Sequence, residues 1–474
     1  LEGLREKEKV GIGPTFHVTG AGSSAGILYE RLRNVIDYKD EHLLRRNAVE
    51  RILKRKLFYE EGKHLGEGLV KELIWAGYLR NDTVSLATVG EIDEIVAKYL
   101  ELTDVNIDKV KADDIRGWAI GVMSAEIDAK LVPQRIEEAL VRAMFRWLSG
   151  KIAIKEVDER GKEVQIFLGI RRSLFREDIA SLRYRLLLVY VPEWSSPSRP
   201  FLARFKEHFP KIWTEVERQI KNPLNNKLAK FLQPYTPPFL ILRELVEVDH
   251  LENLLADQAT LEDKIETACE RKYLVARDKV GRSILRSTIY IFLTKMLLAY
   301  VLEMPADLYL YGRLKALPLV INSLFPPALM FSVGSSIKIP GRDNTERIKQ
   351  IVLEIVYDGE GGTVLPQSVQ IRNYFLERMF GWLYAVGFVV SFGVIIYFLS
   401  LLEFGFPSTV LFLFFLSLVS FFAYRISLTA REYLVISQRE GLGSAVIDFF
   451  TLPFLRVGHW LSSEFAKINV FSEV

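Results

Sequence analysis

Lys295 is the residue that most needs a chemical explanation, because it is a charged residue in an apolar segment. It lies inside the apolar stretch RSTIYIFLTKMLLAYVLEMP, residues 286–305. A lysine near the middle of a bilayer costs about 3 kcal/mol on insertion scales, and such a charge usually marks a functional site. Helical spacing offers no acidic partner, and we expect Glu303, eight residues further on, to be out of reach. We therefore predict that Asn322 and Ser323, on the next apolar segment, hold the lysine.

A pair of prolines, Pro326 and Pro327, follows these polar residues. Proline inside a spanning helix frees a backbone carbonyl and kinks the helix, and transporters use such broken helices at binding sites. The predicted intramembrane polar site therefore consists of Lys295, Asn322, Ser323, Pro326 and Pro327. Two alternatives stay open: a re-entrant hairpin that bends at the prolines, and a shallow helix that leaves Lys295 among the headgroups.

Metal and nucleophile chemistry has little support. Two Glu-x-x-His pairs, Glu61/His64 and Glu247/His250, have the spacing that a di-iron helical bundle uses, but the first lies in the glycine-rich stretch EEGKHLGEG. The one cysteine, Cys269, excludes an intrachain disulfide and a cysteine-rich zinc site. No hydrolase nucleophile motif stands out. We expect no catalytic residue, no metal and no cofactor, and the sequence favours a protein that is not an enzyme.

The elements that position Lys295 lie in an apolar second half. Four segments, 287–304, 316–336, 380–402 and 408–424, approach the roughly 20 apolar residues that a membrane span needs. The last two carry no charge between 381 and 402 or between 408 and 424. The sequence therefore predicts a mainly α integral membrane protein with four spans, or with two spans and a re-entrant hairpin.

The basic residues that flank these segments predict the orientation. They are Arg271, Lys272, Arg277, Lys279, Arg282, Arg286, Lys338, Arg342, Arg347, Lys349, Arg372, Arg378, Arg425, Arg431 and Arg439. Short loops rich in lysine and arginine stay cytoplasmic. All of these flanks fall on one side in either span model, so we predict a multi-pass protein of the cell membrane with both termini in the cytoplasm.

The first half is charged and predominantly helical in pattern. KIAIKEV and EVQIFLGI alternate around a glycine turn, and RYRLLLVYV resembles a third strand, which predicts a small antiparallel sheet within 151–191. The predicted segments are a flexible tail (1–26), a cytoplasmic helical region (27–150), the sheet (151–192), a proline-rich linker with charged helices (193–283), a helical membrane domain (284–430) and interfacial amphipathic helices (431–474).

Three functions follow as hypotheses. The first is a non-enzymatic scaffold that binds a partner at the cytoplasmic face, in contact with the lipid bilayer and with a protein partner or a second copy of itself. A net charge of +3 gives no reason to expect specific nucleic-acid binding. The second is a small transporter or channel built around Lys295 and Asn322, and the third is a membrane-bound metalloenzyme that uses the Glu-x-x-His pairs.

Overall fold

A computed structural model describes residues 14–18, 41–59, 65–103, 105, 107, 110–154, 157–248, 257–358, 367–368, 374–435, 453–458 and 460. The described part is 84% helical, which confirms the mainly α class. Contacts divide the chain into a first unit, Leu1–Gln233 with Gly359–Ile371, and a second unit, Pro234–Asp358 with Arg372–Val474. The finer segment boundaries that composition suggests stay predictions.

The first unit is built of helices, several of which start at a polar capping residue. They are α1 Glu41–Tyr59, α2 Leu65–Trp75, α3 Leu86–Thr103, α4 Ala112–Leu131, α5 Arg135–Ser149, α6 Glu159–Phe175, α7 Ile179–Tyr190, α8 Arg199–Lys221 and α9 Pro223–Leu232. Asp178, Ser198 and Asn222 each accept a main-chain N–H of the first turn that follows them. Such caps satisfy donors that have no partner inside the helix.

Helix α4 lies at the centre of this unit. Trp118, Met123 and Ile127 are among the many side chains that it buries, and α1, α3 and α7 pack around it. A helix that is apolar on all sides belongs in a core. Helix α6 packs closely on α9 at Gly169, where an added Cβ would lie 2.9 Å from the Cβ of Leu228.

The predicted antiparallel sheet over 151–191 is wrong. Most of this segment is helical, as α6 and α7, and its described residues contribute one short strand, β1, Ile152–Ala153. Strand β1 pairs in parallel with β2, Gln367–Ser368. The apolar runs misled because α6 buries side chains on nearly all faces, and a short apolar run in a buried helix cannot be told from a strand by periodicity.

Residues 14–18, within the predicted flexible tail, pack against the first unit. The N–H of Phe16 donates to the carbonyl of Val84 at 2.7 Å, and the Phe16 side chain is buried in the core. His17 Nδ1 lies 2.9 Å from a carboxylate oxygen of Asp82. This part of the tail is therefore anchored. The rest of the tail and most of the predicted interfacial segment, 431–474, lie outside the described residues.

The second unit contains the apolar helices. Its elements are α10 Thr236–Val248, α11 Gln258–Leu298, a π-helical turn Ala299–Glu303, α12 Met304–Tyr311, α13 Ala316–Ser335, α14 Arg342–Leu353, a second π-helical turn Glu354–Asp358, α15 Tyr374–Leu401 and α16 Phe406–Ala430. Helix α11 passes without a break from the charged segment into the apolar one. The predicted first span is therefore the far end of one long helix and not a separate element.

Within the described ranges, three helical stretches are long and apolar enough to cross a membrane. They are Gln258–Tyr311, Ala316–Ser335 and Phe406–Ala430, and Ala385–Leu401 is a shorter apolar stretch. Large apolar side chains such as Leu297 (61% exposed) point away from the unit, as a lipid-facing surface requires. These features fit a membrane protein, and the number of crossings stays a prediction.

The hairpin between α12 and α13 does not bend at the prolines. Helix α13 continues through Pro326 and Pro327, and both are buried. The turn is made instead after Gly312, whose φ of +68° lies in the left-handed region that favours glycine. The re-entrant hairpin bent at the prolines is therefore wrong in its position.

Candidate functional site

Lys295 is fully buried and forms an ion pair with Glu303. Its Nζ donates to Glu303 Oε2 at 3.1 Å, and both side chains are 0% exposed. The same nitrogen lies 5.3 Å from the ring centroid of Phe415 on α16. The prediction that Glu303 is out of reach is wrong, and the depth of Lys295 in a bilayer stays a prediction.

The π-helical turn explains why Glu303 reaches Lys295. In a regular α-helix, eight residues overshoot two full turns by about 80°, because one turn takes 3.6 residues. The turn Ala299–Glu303 holds more residues per turn, and this returns Glu303 to the face of Lys295. Pro305, two residues after Glu303, has no N–H to donate to the carbonyl of Val301, so the regular α-helical bonding is interrupted there.

Asn322 joins the site through Glu303 and not through the lysine itself. Its Nδ2 donates to Glu303 Oε1 at 2.7 Å and to the main-chain carbonyl of Ser408 on α16 at 3.1 Å. One amide therefore fastens three helical elements together. Among the described residues no hydrogen bond joins Ser323 to the pair, although Ser323 is buried. Pro326 and Pro327 lie further along α13, beyond Asn322.

Acceptor atoms without partners surround the pair. Asn322 Oδ1, Ser408 Oγ and Asp307 Oδ1 are buried and have no hydrogen-bond partner among the described residues. Asp307 follows Glu303 by one helical turn and is buried as well. An unpaired buried polar group costs about 1–3 kcal/mol. The site thus holds one lysine–glutamate pair, a second buried carboxylate one helical turn beyond Glu303, and buried acceptors that could take a proton or a cation.

Comparison with known proteins finds no matching family model, no matching curated protein and no matching solved structure. Function has to be inferred from the chemistry of the site.

The Glu-x-x-His pairs cannot be placed together. Glu61, His64 and His250 lie outside the described residues, and Glu247 forms an ion pair with Arg243 at 2.8 Å. Within the described ranges, no group of three or more His, Cys, Asp or Glu side chains could hold a metal ion. The expectation of no metal and no cofactor stays a prediction.

Sequence reasoning missed Glu303, Asp307 and Ser408. A signal was available for the first two, since two acids within a largely apolar run are costly unless they are paired. No signal was available for Ser408, because it takes part through its main-chain carbonyl.

Proposed function

We propose that the chain is a multi-pass integral membrane protein whose second unit moves a proton or a small cation, with Glu303 as the group that binds it. The observation that carries the proposal is the buried ion pair. Lys295 and Glu303 are wholly enclosed among apolar helices, beside acceptors that have no partner. A protein that used these helices only as an anchor would have no need to bury charges there.

Protonation of Glu303 gives the site two states. A proton on the carboxylate removes its negative charge and weakens its attraction for Lys295. The bond from Asn322 then also loses its charged acceptor, so the fastening between the π-helical turn, α13 and α16 loosens. Loss of the proton restores both interactions, and binding is thereby coupled to helix arrangement.

Flux measurements in proteoliposomes test the proposal. The full chain is reconstituted with a pH-sensitive dye inside, and a potassium diffusion potential set with valinomycin drives proton entry. We expect flux above that of empty liposomes, and we expect Glu303→Gln to abolish it. Glu403→Gln is the matched control, because Glu403 is an exposed glutamate between α15 and α16. A sodium gradient with a sodium dye distinguishes a cation from a proton. Wild-type protein that conducts neither ion would overturn the proposal.

A scaffold is the second candidate. It is supported by the hydrogen bonds of the pair itself, since Lys295 Nζ and both oxygens of Glu303 have partners. In this case the pair would only set the position of the helices, and the first unit would bind a protein partner or a second copy. The flux assay separates the two candidates. If the chain is a scaffold, the wild-type protein shows no flux, and Glu303→Gln changes only the stability.

We also propose that both termini face the cytoplasm. The support is the positive charge on either side of the apolar helices against the nearly uncharged turn after α15. Reporter fusions at residue 270 and residue 440 should both report the cytoplasmic side. Opposite sides for the two fusions would contradict the proposed topology.

A further inference from the structure

A groove of about 500 Å³ lies between α5, α6 and α7 in the first unit. Its apolar wall includes Phe145, Phe167 and Val189, and Val189 is 47% exposed although it is a large apolar side chain. The volume is within the range of about 300–1,000 Å³ that small-molecule sites occupy. The groove therefore has the size and the apolar surface to take a hydrocarbon chain.

Arginines lie at the edge of this groove. Arg142, Arg146 and Arg160 line it, and within the described residues Arg142 and Arg146 make no ion pair. A neutral hydrocarbon would leave these guanidinium groups without a complement. Guanidinium groups bind carboxylates and phosphates through two parallel N–H donors.

A polar cavity of about 280 Å³ shares Glu138 and Arg142 with the groove. Arg185 also lines it, and Arg185 lies 2.7 Å from Glu138. Glu138 is bound by Arg171 as well, so its charge is already shared by two arginines. The polar end of the combined site therefore carries an excess of positive charge.

We propose that the groove and the polar cavity form one binding site for an amphipathic anion, an aliphatic chain that ends in a carboxylate or a phosphate. The chain lies over Phe145, Phe167 and Val189, and the anionic end is held by Arg142 at the boundary of the two cavities. The apolar wall selects against inorganic anions, and the arginines select against neutral chains. This site is separate from the proposed ion site of the second unit.

Displacement of a fluorescent fatty-acid analogue tests the proposal. The full chain is placed in phosphatidylcholine nanodiscs, loaded with dansylaminoundecanoate, and corrected against empty nanodiscs. Decanoate or decyl phosphate should displace the probe, and decanol, acetate and inorganic phosphate should not. Preference for decanoate would indicate a free carboxylate as the natural ligand, and preference for decyl phosphate would indicate a lipid phosphate.

Two variants and their controls locate the binding. Arg142→Gln should weaken probe binding about tenfold, the effect of one charge-assisted hydrogen bond. Arg116→Gln, an exposed arginine on α4 outside the groove, should not change it. Val189→Asp should abolish binding because it puts a carboxylate in the apolar wall. Ile179→Asp is its control, since Ile179 is 51% exposed on the same helix and does not line the groove.

Three results would overturn the proposal. They are the absence of probe binding above empty nanodiscs, equal displacement by decanol and decanoate, and unchanged binding in both Arg142→Gln and Val189→Asp. Because all four positions have exposed side chains, circular dichroism should show that each variant folds, and a binding change can then be assigned to the groove.

Discussion

The two units each bury a lysine–glutamate pair, but the polar groups around the two pairs differ in whether they have hydrogen-bond partners. In the first unit Lys98 Nζ donates to Glu126 and to the main-chain carbonyl of Trp194, and it lies 4.9 Å from the ring centroid of Trp194. The other oxygen of Glu126 accepts from Tyr99, whose hydroxyl in turn accepts from the Trp194 indole. In the second unit the Lys295–Glu303 pair has partners, but its surroundings retain unpaired acceptors.

The surfaces of the two units also differ, in the number of large apolar side chains that they expose. Within the described part of the first unit, the exposed large apolar side chains are Leu86, Ile179 and Val189. The second unit exposes many more, including Leu293 at 61% and Val389 at 70%. Water covers the first surface at little cost, and the second fits a membrane protein better.

The difference teaches what a buried ion pair can mean. A completed network such as that of Lys98 rigidifies a core, because every buried polar atom is satisfied. A pair with unpaired neighbours can exchange partners. We interpret the Lys98 pair as structural and the Lys295 pair as the one with capacity for change.

The largest expected effect comes from breaking the completed network. Glu126→Leu leaves Lys98 buried without its carboxylate and should destabilise α3 by about 3–5 kcal/mol. Lys98→Met/Glu126→Leu should lose much less, because no unpaired charge remains. Hydrogen exchange followed by mass spectrometry on α3 peptides gives the local opening free energy. A double variant as unstable as Glu126→Leu would show that the pair itself, and not the stranded charge, is important.

Effects of intermediate size should come from glycines at close helix contacts, one in each unit. Gly169→Ala and Gly334→Ala each place a methyl group under 3.0 Å from the neighbouring helix, against Leu228 in the first unit and Ile284 in the second. Each should cost about 1–3 kcal/mol through overpacking. Gly121→Ala is the control, because its new Cβ would lie 3.5 Å from Ala180, an ordinary contact. Thermal unfolding of the full chain in nanodiscs measures all three, and an equal loss in the control would contradict the packing explanation.

Coupling between Lys295 and Asn322 should be smaller. Both residues hydrogen-bond to Glu303, so Lys295→Leu and Asn322→Leu should be non-additive by about 0.6–1.7 kcal/mol, the range seen for polar contacts in membranes. Unfolding of the single and double variants in bicelles measures the coupling. Leu329→Ala combined with Lys295→Leu is the control pair, because Leu329 lies on the same helix as Asn322, and the effects of this pair should be additive. Additive and near-neutral effects for Lys295→Leu and Asn322→Leu would remove the support for a polar site.

The smallest expected effects concern pH. Burial raises the pKa of Glu126, an effect that Lys98 only partly offsets. For Glu138 burial also acts to raise the pKa, but Arg171 and Arg185 outweigh it and the pKa is lowered. A raised folded-state pKa contributes stability that is lost as pH rises above about 4.5, and a lowered one contributes stability that is lost as pH falls below it.

Hydrogen exchange at several pH values checks these opposite slopes. The opening free energy of α3 should fall as pH rises from about 4.5, and that of α5 should fall as pH drops below it. Glu126→Gln and Glu138→Gln should each flatten only the local slope. Slopes of the same sign in both helices would contradict the assignment.

Local pattern was sufficient to predict the apolar helices and to single out Lys295 and Asn322 as polar residues within them. Length and apolar content depend only on consecutive residues, so α13 and α16 could be read from the chain. The same reasoning failed at 151–191, since the core that surrounds α6 decides between helix and strand for an apolar run. The basic pattern of α1 likewise does not reveal that Arg45 Nε donates to Asp128 on α4 at 2.6 Å.

The sequence by itself determined which segments are apolar, where charges interrupt them, and where helices are capped. Only the tertiary structure decided that Glu303 faces Lys295, that Asn322 reaches the carbonyl of Ser408, and that Trp194 completes the network of Lys98. The physical reason is that partner choice depends on the phase of a helix and on the approach of distant elements. The π-helical turn before Pro305 changes the direction in which Glu303 points, and close packing decides which distant elements meet. Neither can be read from the spacing of residues along one helix.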